Sequence, residues 1–265
     1  MNTWQEARTE YLRRYAGRDR ERYVELVVGP RRASALITLG AKDIHEAIGA
    51  LPAPYSYNRG LSALRHFLRF VAAASGVRQD TTILTYLPEP RCRVRYLDRA
   101  QASALVAALP ARYRPLVRFA LATGLRRANC LALTWAEVDL ERSLAWVHAD
   151  QAKAREAIAV PLNREAIGAL GDTRMGGSGN RDPAARCFPV PPIDSRIWKA
   201  SCARAGIEGR FRFHDLRHTW ASWHAQAGTP LIALQQLGGW QSAAMVRRYA
   251  HFSAESLSRY AEAIG

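Results

Sequence analysis

The stretch Phe213-His214-Asp215-Leu216-Arg217-His218-Thr219 is predicted to open a long helix that runs through His224. His214 and Arg217 are three residues apart in it, so the two side chains should lie on one face of that helix. A guanidinium neutralises the charge of a phosphate oxygen, and an imidazole beside it donates a hydrogen bond or moves a proton. A capping histidine and a solvated arginine would explain the same pair, so this stretch alone leaves both interpretations open.

A second basic segment, Thr123-Gly124-Leu125-Arg126-Arg127, lies upstream of that helix. The apolar pattern predicts a helix from Tyr113 to Thr123, which Gly124 ends. Arg126 would then follow a break between helices, where a cation and free backbone amides can reach into one cleft. Basic helix ends are also common for dipole reasons, so this segment is weak support when it is taken alone.

Three short strands are predicted at 138–140, 144–148 and 157–160, which is enough for a small antiparallel sheet. Lys153 lies in the turn between the second and third of them. A lysine with a lowered pKa can protonate a departing alkoxide, which an arginine cannot do. Only Lys42, Lys153 and Lys199 among the 38 basic residues are lysines. An exposed turn lysine with no function is the alternative.

The segment Leu237-Gly238-Gly239-Trp240 precedes Tyr249 by nine to twelve residues. On one continuous helix Trp240 and Tyr249 would point to opposite sides, about 13.5 Å apart along the axis. The two glycines and the N-cap candidate Ser242 predict a helix break instead, so that the aromatic pair could converge on one site. Clustered arginines would favour the phenolate of Tyr249 as a nucleophile. A buried tyrosine with a satisfied hydroxyl is the alternative.

The charge balance points to a polyanionic partner. Lysine and arginine number 38 and aspartate and glutamate 23, a net charge of +15, with an isoelectric point near 10.4. Such a surplus attracts nucleic acid above all, although a solvated basic surface without a specific role would give the same count. The hydrophobic share of 48% is that of an ordinary globular protein.

Other classes of protein are disfavoured by the same sequence. The four cysteines, Cys92, Cys130, Cys187 and Cys202, show no metal-ligand spacing and are expected to be reduced and buried. No apolar run is long enough to span a membrane, and the N-terminus lacks a secretory signal. We therefore expect a cytoplasmic protein with no structural zinc site and no membrane partner.

The fold is predicted to be mainly α with a small antiparallel β-sheet, in two domains. Helices are expected over 4–15, 43–51 and 57–74, the last with an apolar face that recurs every three or four residues. A helix opening at Asp98 has the capping-box pattern, Gly171 to Pro183 is expected to be a flexible loop, and the chain is helical again from Ile193. The predicted division is a helical domain over 1–86, a linker over 87–93 rich in proline and arginine, and a mixed domain over 94–265.

The ordered set of motifs resembles the tyrosine recombinase (phage integrase) family. The features shared with that family are a T-G-L-R segment, a hairpin lysine ahead of Val160-Pro161-Leu162, H-x-L-R, then L-G-G-W and a tyrosine nine residues after the tryptophan. The resemblance covers about residues 91–265, and the preceding helical unit is similar in size and position to the core-binding domain of the family. Each motif alone is weak, whereas the ordered set is highly specific.

The resemblance implies a site-specific DNA recombinase or integrase that cuts and rejoins DNA through a 3′-phosphotyrosyl intermediate. Tyr249 would be the nucleophile, Arg126 and Arg217 would bind the nonbridging phosphate oxygens, and Lys153 would protonate the 5′ oxygen. His214 would assist proton transfer, and Trp240 would take the place more often held by a histidine. The expected partner is double-stranded DNA, and the resemblance implies that the reaction needs no metal or other cofactor, because the phosphotyrosyl bond conserves the bond energy for rejoining.

The same resemblance implies a homotetramer on two DNA sites, joined through a C-terminal helix over 253–264. Asn129 departs from the acidic residue usual three positions after the first arginine, and no arm-site-binding domain is expected before the helical unit. A topoisomerase-like relaxing enzyme and a noncatalytic DNA-binding protein remain alternatives.

Overall fold

The computed structural model describes residues 1–15, 17–31, 34–35, 37, 39, 41–49, 55–78, 85–89, 94–148, 157–175, 182–249 and 262. The chain forms two compact units, Met1–Cys92 and Arg93–Gly265. The described part is mostly helical with a small antiparallel sheet, which confirms the prediction of a mainly α fold with a small antiparallel sheet.

The first unit consists of helices around one apolar core. They are α1 (Trp4–Arg14), α2 (Arg18–Val28), α3 (Ala41–Gly49) and α4 (Tyr55–Ser75). The core contains Trp4, Ala7, Tyr11, Val24, Val27, Val28, Leu39, Ile44, Leu61, Leu64, Phe67, Leu68 and Val71. The sequence pattern missed α2, because its charged first half hides the short apolar face that Val24, Val27 and Val28 present to this core.

The start of the stretch predicted as a linker is attached to α4. The side chain of Asn58 is buried, its Nδ2 donates to the carbonyl of Leu87 at 2.7 Å, and its Oδ1 accepts from the Leu87 amide at 2.8 Å. The same Nδ2 donates to Glu89 at 2.9 Å. These bonds anchor residues 87–89 within the first unit, while residues 90–93 lie outside the described residues.

The second unit begins with helices and continues into the sheet. They are α5 (Arg99–Ala108), α6 (Arg114–Thr123) and α7 (Arg127–Ala132), followed by β1 (Val138–Asp139), β2 (Leu144–Val147) and β3 (Ile158–Pro161). The strands pair antiparallel in the order β1-β2-β3, with Val147 opposite Ile158. The predicted capping box at Asp98 and the predicted hairpin are both confirmed.

The rest of the second unit is helical: α8 (Arg164–Met175), α9 (Ser195–Arg204), α10 (Asp215–Gln226), α11 (Leu231–Gly238) and α12 (Ala243–Arg247). The loop predicted from Gly171 is wrong for its first five residues, because α8 continues to Met175. Burial of Ala166, Ala169 and Leu170 stabilises this helix, and Gly171 has open space where a Cβ would be. Residues 176–181 lie outside the described part.

A small aromatic cluster lies apart from the main core of the second unit. Its buried members are Trp220, Ala221, Leu234, Trp240, Val246 and Tyr249, contributed by α10, α11 and the segment that follows them. None of the described helices combines the length and the apolar character that crossing a bilayer requires. The aromatic cluster therefore brings Trp240 and Tyr249 against α10, the helix that contains the H-x-L-R motif.

Candidate active site

Arg217 is buried at the centre of the site. Its side chain is on α10 and only 4% exposed, its Nη1 donates to the carbonyl of Gly124 at 2.8 Å, and its Nη2 donates to the carbonyl of Gly238. The guanidinium carbon lies 4.1 Å from the ring centre of Trp240. Burial, together with the charge of Arg126, lowers the pKa of Arg217 to about 10, so the group is still a cation at neutral pH. The solvated-arginine interpretation is thereby excluded.

Glycines allow the two carbonyls to approach Arg217. Gly124 ends α6 with φ +66°, and a Cβ there would overlap the indole of Trp220. Gly239 ends α11 in the left-handed region with φ +59°, which confirms the predicted helix break before Trp240. The chain therefore turns sharply at two points, and both turns face the guanidinium of Arg217.

Tyr249 follows α12 and is 4% exposed. Its hydroxyl is 2.6 Å from Nδ1 of His218, and its ring centre is 5.7 Å from that of Trp240. Burial raises the pKa of the Tyr249 phenol, while Arg217 and Arg248 act in the opposite direction. The aromatic pair converges as predicted, and the nearby cations partly offset the cost of ionising a buried phenol.

A cavity of about 320 Å³ joins these groups. Its lining residues are Arg126, His214, Arg217, His218, Gly239, Trp240, Gln241, Met245, Arg248 and Tyr249. Five of the six residues singled out from the sequence border this one space, since Arg126, His214, Arg217, Trp240 and Tyr249 all line it. Three arginines, two histidines and a tyrosine hydroxyl around one cavity form a site suited to a phosphodiester.

His214 occupies the rim of this site. It is exposed and is the N-cap residue of α10, but its side chain makes no capping hydrogen bond there, contrary to the capping interpretation. Arg126 is half-buried and is the N-cap residue of α7. Asn129, one turn into α7, is buried, and its Nδ2 has no hydrogen-bond partner among the described residues.

Lys153, the sixth predicted site residue, lies outside the described residues. The hairpin on either side of it is described: β2 ends at Val147, β3 begins at Ile158, and these two residues pair. A Cβ at Gly239 would overlap the side chain of Ile158. β3 therefore begins beside a residue that lines the cavity.

Two ionisable residues that line the cavity had no role in the sequence interpretation. His218 bonds to the Tyr249 hydroxyl, and Arg248 acts electrostatically on both. The four-residue spacing of His214 and His218 is a signal that could have indicated a second histidine on that helix face. In the described part of the chain, no cluster of three or more His, Cys, Asp or Glu side chains is suited to bind a metal ion.

Comparison with known proteins identifies the family. Residues 95–256 match the model described as the phage integrase family. The integrase of Salmonella phage P22 is 38% identical over 200 residues, 70% of this chain and 51% of that protein. The tyrosine recombinase XerD of Brucella abortus strain 9-941 is 30% identical over 234 residues, 78% of this chain and 75% of that protein. The chain thus spans about half the length of the P22 integrase.

Solved structures share the fold at lower identity. A Tn1549 transposon integrase in complex with a circular intermediate DNA has a TM-score of 0.77 at 17% identity and covers 99% of both chains. A lambda integrase dimer bound to a COC′ core site has a TM-score of 0.72 at 17% identity, covering 94% of this chain and 95% of that one. The chain belongs to the phage integrase family of tyrosine recombinases.

Proposed function

We propose that this protein is a site-specific DNA recombinase that cuts and rejoins double-stranded DNA through a phosphotyrosyl bond at Tyr249. The observation that carries the proposal is the position of the Tyr249 hydroxyl, which borders one cavity with Arg126 and Arg217. The membership in the family and the named recombinases and integrases among its relatives support the same reaction.

The proposed reaction is an in-line displacement at phosphorus. The Tyr249 oxygen forms a bond to phosphorus, and the bond from phosphorus to the 5′ oxygen breaks, which leaves a 3′-phosphotyrosine and a 5′-hydroxyl. Arg126 and Arg217 bind the nonbridging oxygens, where negative charge builds up in the transition state. Lys153 donates the proton that the departing 5′ oxygen needs. The free hydroxyl of a partner strand reverses these steps and rejoins the DNA.

The cavity is arranged before DNA arrives. Two backbone carbonyls and the indole of Trp240 fix the guanidinium of Arg217, so that little reorganisation is needed when a phosphate binds. Trp240 also contacts the ring of Tyr249 and so orients the nucleophile. His214, at the exposed rim, assists proton transfer at the bound phosphate.

Exposed cations next to the site suit a DNA backbone. Arg127, Lys199, Arg210 and Arg212 are exposed and border a second cavity of about 790 Å³. Together with the net charge of +15 they favour binding that weakens steeply with added salt, since counterions are released from DNA. The structures of the Tn1549 integrase with DNA and of the lambda integrase on a core site support double-stranded DNA as the partner.

The finer organisation belongs to the same proposal. The helical unit, residues 1–86, acts as the core-binding domain, residues 87–93 link it, and residues 94–265 form the catalytic domain. A homotetramer assembles on two DNA sites through the helix expected over 253–264, whose apolar residues are Leu257, Tyr260, Ala261 and Ile264. This segment lies outside the described residues apart from Glu262. Action on DNA supports the expected cytoplasmic location.

The test begins with the DNA itself. Sequencing the junctions that the purified protein forms on flanking genomic DNA supplies the core sequence, from which a nicked duplex is built to trap the covalent intermediate. We expect the wild-type protein to form a protein–DNA adduct on this duplex. Tyr249→Phe should bind the duplex equally well and form no adduct, because only the nucleophilic oxygen is removed.

The matched control is Tyr11→Phe, which removes another tyrosine hydroxyl that is hydrogen-bonded to a histidine, in the first unit. It should form adducts at the wild-type rate. Adducts that persist in Tyr249→Phe contradict the proposal. Relaxation of a supercoiled plasmid without any core site would favour a topoisomerase, and binding without adducts in the wild type would favour a noncatalytic protein.

A further inference from the structure

We propose that His218 is the general base that accepts the phenol proton of Tyr249 when the phosphate is attacked. The assignment rests on the proposed function, and it gives a distinct step to a residue outside the six predicted from the motifs. His218 is hydrogen-bonded to the reacting oxygen, whereas the roles proposed above for the two arginines, Lys153 and Trp240 concern the phosphate, the departing oxygen and the orientation of the ring.

The geometry of the pair fits a proton transfer. The Tyr249 hydroxyl and the His218 Nδ1 are 2.6 Å apart, and the two ring centres are 5.8 Å apart. A phenol can donate to Nδ1 only when that nitrogen has a free lone pair, which is the tautomer with its hydrogen on Nε2. The proton can then move along this hydrogen bond, from the Tyr249 oxygen to Nδ1 of His218.

The surroundings keep the imidazole neutral. Burial lowers the pKa of His218, and the charges of His214, Arg248 and Arg217 act in the same direction. Asp215, on the first turn of α10, acts against them. At neutral pH His218 is therefore an unprotonated base, as a proton acceptor must be.

The bound phosphate makes the transfer possible. A buried phenol does not ionise readily, because burial raises its pKa. The proton moves to Nδ1 as the oxygen bonds to phosphorus, and the imidazolium so formed is stabilised by the negative charge of the phosphate in the same cavity. When the DNA is rejoined, the bond from Tyr249 to phosphorus breaks and the imidazolium returns the proton to the phenol oxygen.

His214 is less well placed for this step. It is exposed, and its ring lies edge-on to His218 with 5.4 Å between centres. It borders the base and influences it through charge. This arrangement gives the two histidines of the F-H-D-L-R-H-T stretch separate tasks, one at the phosphate and one at the nucleophile.

The test uses the full chain and a nicked core duplex in which sulfur replaces the bridging 5′ oxygen at the scissile phosphate. A thiolate leaves without a proton, so the titration of Lys153 does not enter the rate. His218→Asn keeps an acceptor oxygen near the position of Nδ1 but cannot accept the proton. We expect single-turnover adduct formation to slow by about 10²–10⁴-fold.

The dependence on pH separates a base from a positioning residue. The wild-type rate should rise up to the lowered pKa of His218 and be flat above it. The His218→Asn rate should keep rising toward the raised pKa of the Tyr249 phenol, because only phenolate formed in solution equilibrium then attacks. A uniformly slower rate with the wild-type profile would show that His218 only positions Tyr249, and would overturn the proposal.

The matched control is His224→Asn on the same helix. His224 is also half-buried and hydrogen-bonded, with its Nδ1 3.0 Å from the Thr229 hydroxyl, but it does not line the cavity. Its rate and pH profile should be those of the wild type. If the wild type forms adducts and His218→Asn forms them equally fast, the assignment to His218 fails alone. If the wild type forms none, the proposed function fails with it.

A measurement on the free protein covers the case in which His218→Asn does not fold. Nitrogen-15 NMR of the imidazoles should show His218 with an unprotonated Nδ1 at pH 7, and its signal should shift in Tyr249→Phe. A His218 that is protonated at Nδ1 at this pH would overturn the proposal without any DNA.

Discussion

Each unit contains a buried tyrosine bonded to a histidine, and only one of the two pairs lies in a reactive setting. In the first unit the Tyr11 hydroxyl is 2.7 Å from Nδ1 of His66, and in the second the Tyr249 hydroxyl is 2.6 Å from Nδ1 of His218. Burial raises the pKa of both phenols. The hydrogen bond by itself therefore does not distinguish the two pairs.

The difference lies in what surrounds each phenol. The rings of Tyr15, Phe67 and Phe70 pack around Tyr11, and the arginine that acts on it, Arg20, is exposed. Tyr249 instead shares a cavity with Arg217, which is itself buried. A buried cation is screened far less by solvent than an exposed one, so only the second pair is placed to stabilise an ionising phenol and a bound phosphate.

The strongest test of this comparison removes the cation from each setting. Arg217→Ala should slow adduct formation by at least about 10²–10³-fold, because a preorganised donor to the transition state is lost. It should also destabilise the second unit, since the carbonyls of Gly124 and Gly238 lose their partner. Arg20→Ala, beside the first pair, should leave single-turnover adduct formation unchanged. Equal losses in the two variants would contradict the comparison.

A second test compares two glycines with nearly the same backbone. Gly124 has φ +66° and Gly76 has φ +75°, but only at Gly124 would a Cβ meet another side chain, that of Trp220. Gly76→Ala should lower the free energy of unfolding by about 1–2 kcal/mol, for left-handed backbone alone. Gly124→Ala should lower it by about 2–5 kcal/mol, because overpacking is added. Urea unfolding of both variants measures this, and a milder effect at Gly124 would show that the turn beside Arg217 is loosely packed.

The smallest expected effect is on stability at mildly acid pH. His218 and His224 have lowered pKa values in the folded protein, mainly through burial, so the unfolded chain binds more protons between those values and 6.5. Stability should therefore fall as pH drops below 6.5 and level off below the folded-state pKa values. His218→Asn removes one titrating group, so it should reduce the change of the free energy of unfolding with pH by at most about 1.4 kcal/mol per pH unit. A slope unchanged in melting experiments from pH 7 to 5 would contradict the burial of His218.

The sequence predicted best those features that depend on a few neighbouring residues. The capping box at Asp98, the helix stop at Gly124 and the break at Gly239 follow from side-chain and backbone preferences of a few neighbouring residues. The missed helix α2 and the loop wrongly begun at Gly171 are elements whose stability comes from burial against distant helices. Tertiary packing overrides weak local preferences in such segments.

By itself, the sequence determined the family, the mainly helical fold with a small sheet, and five residues that border one cavity. These follow from spacing, because ordered motifs and period-3.6 apolar patterns are properties of the chain alone. Only the tertiary structure decided which histidine bonds the nucleophile, that Arg217 is buried, and which of two similar tyrosine pairs faces the cations. Those outcomes depend on contacts between residues far apart in the chain, such as Arg217 and Gly124 at 93 positions, and local sequence does not encode the distance between them.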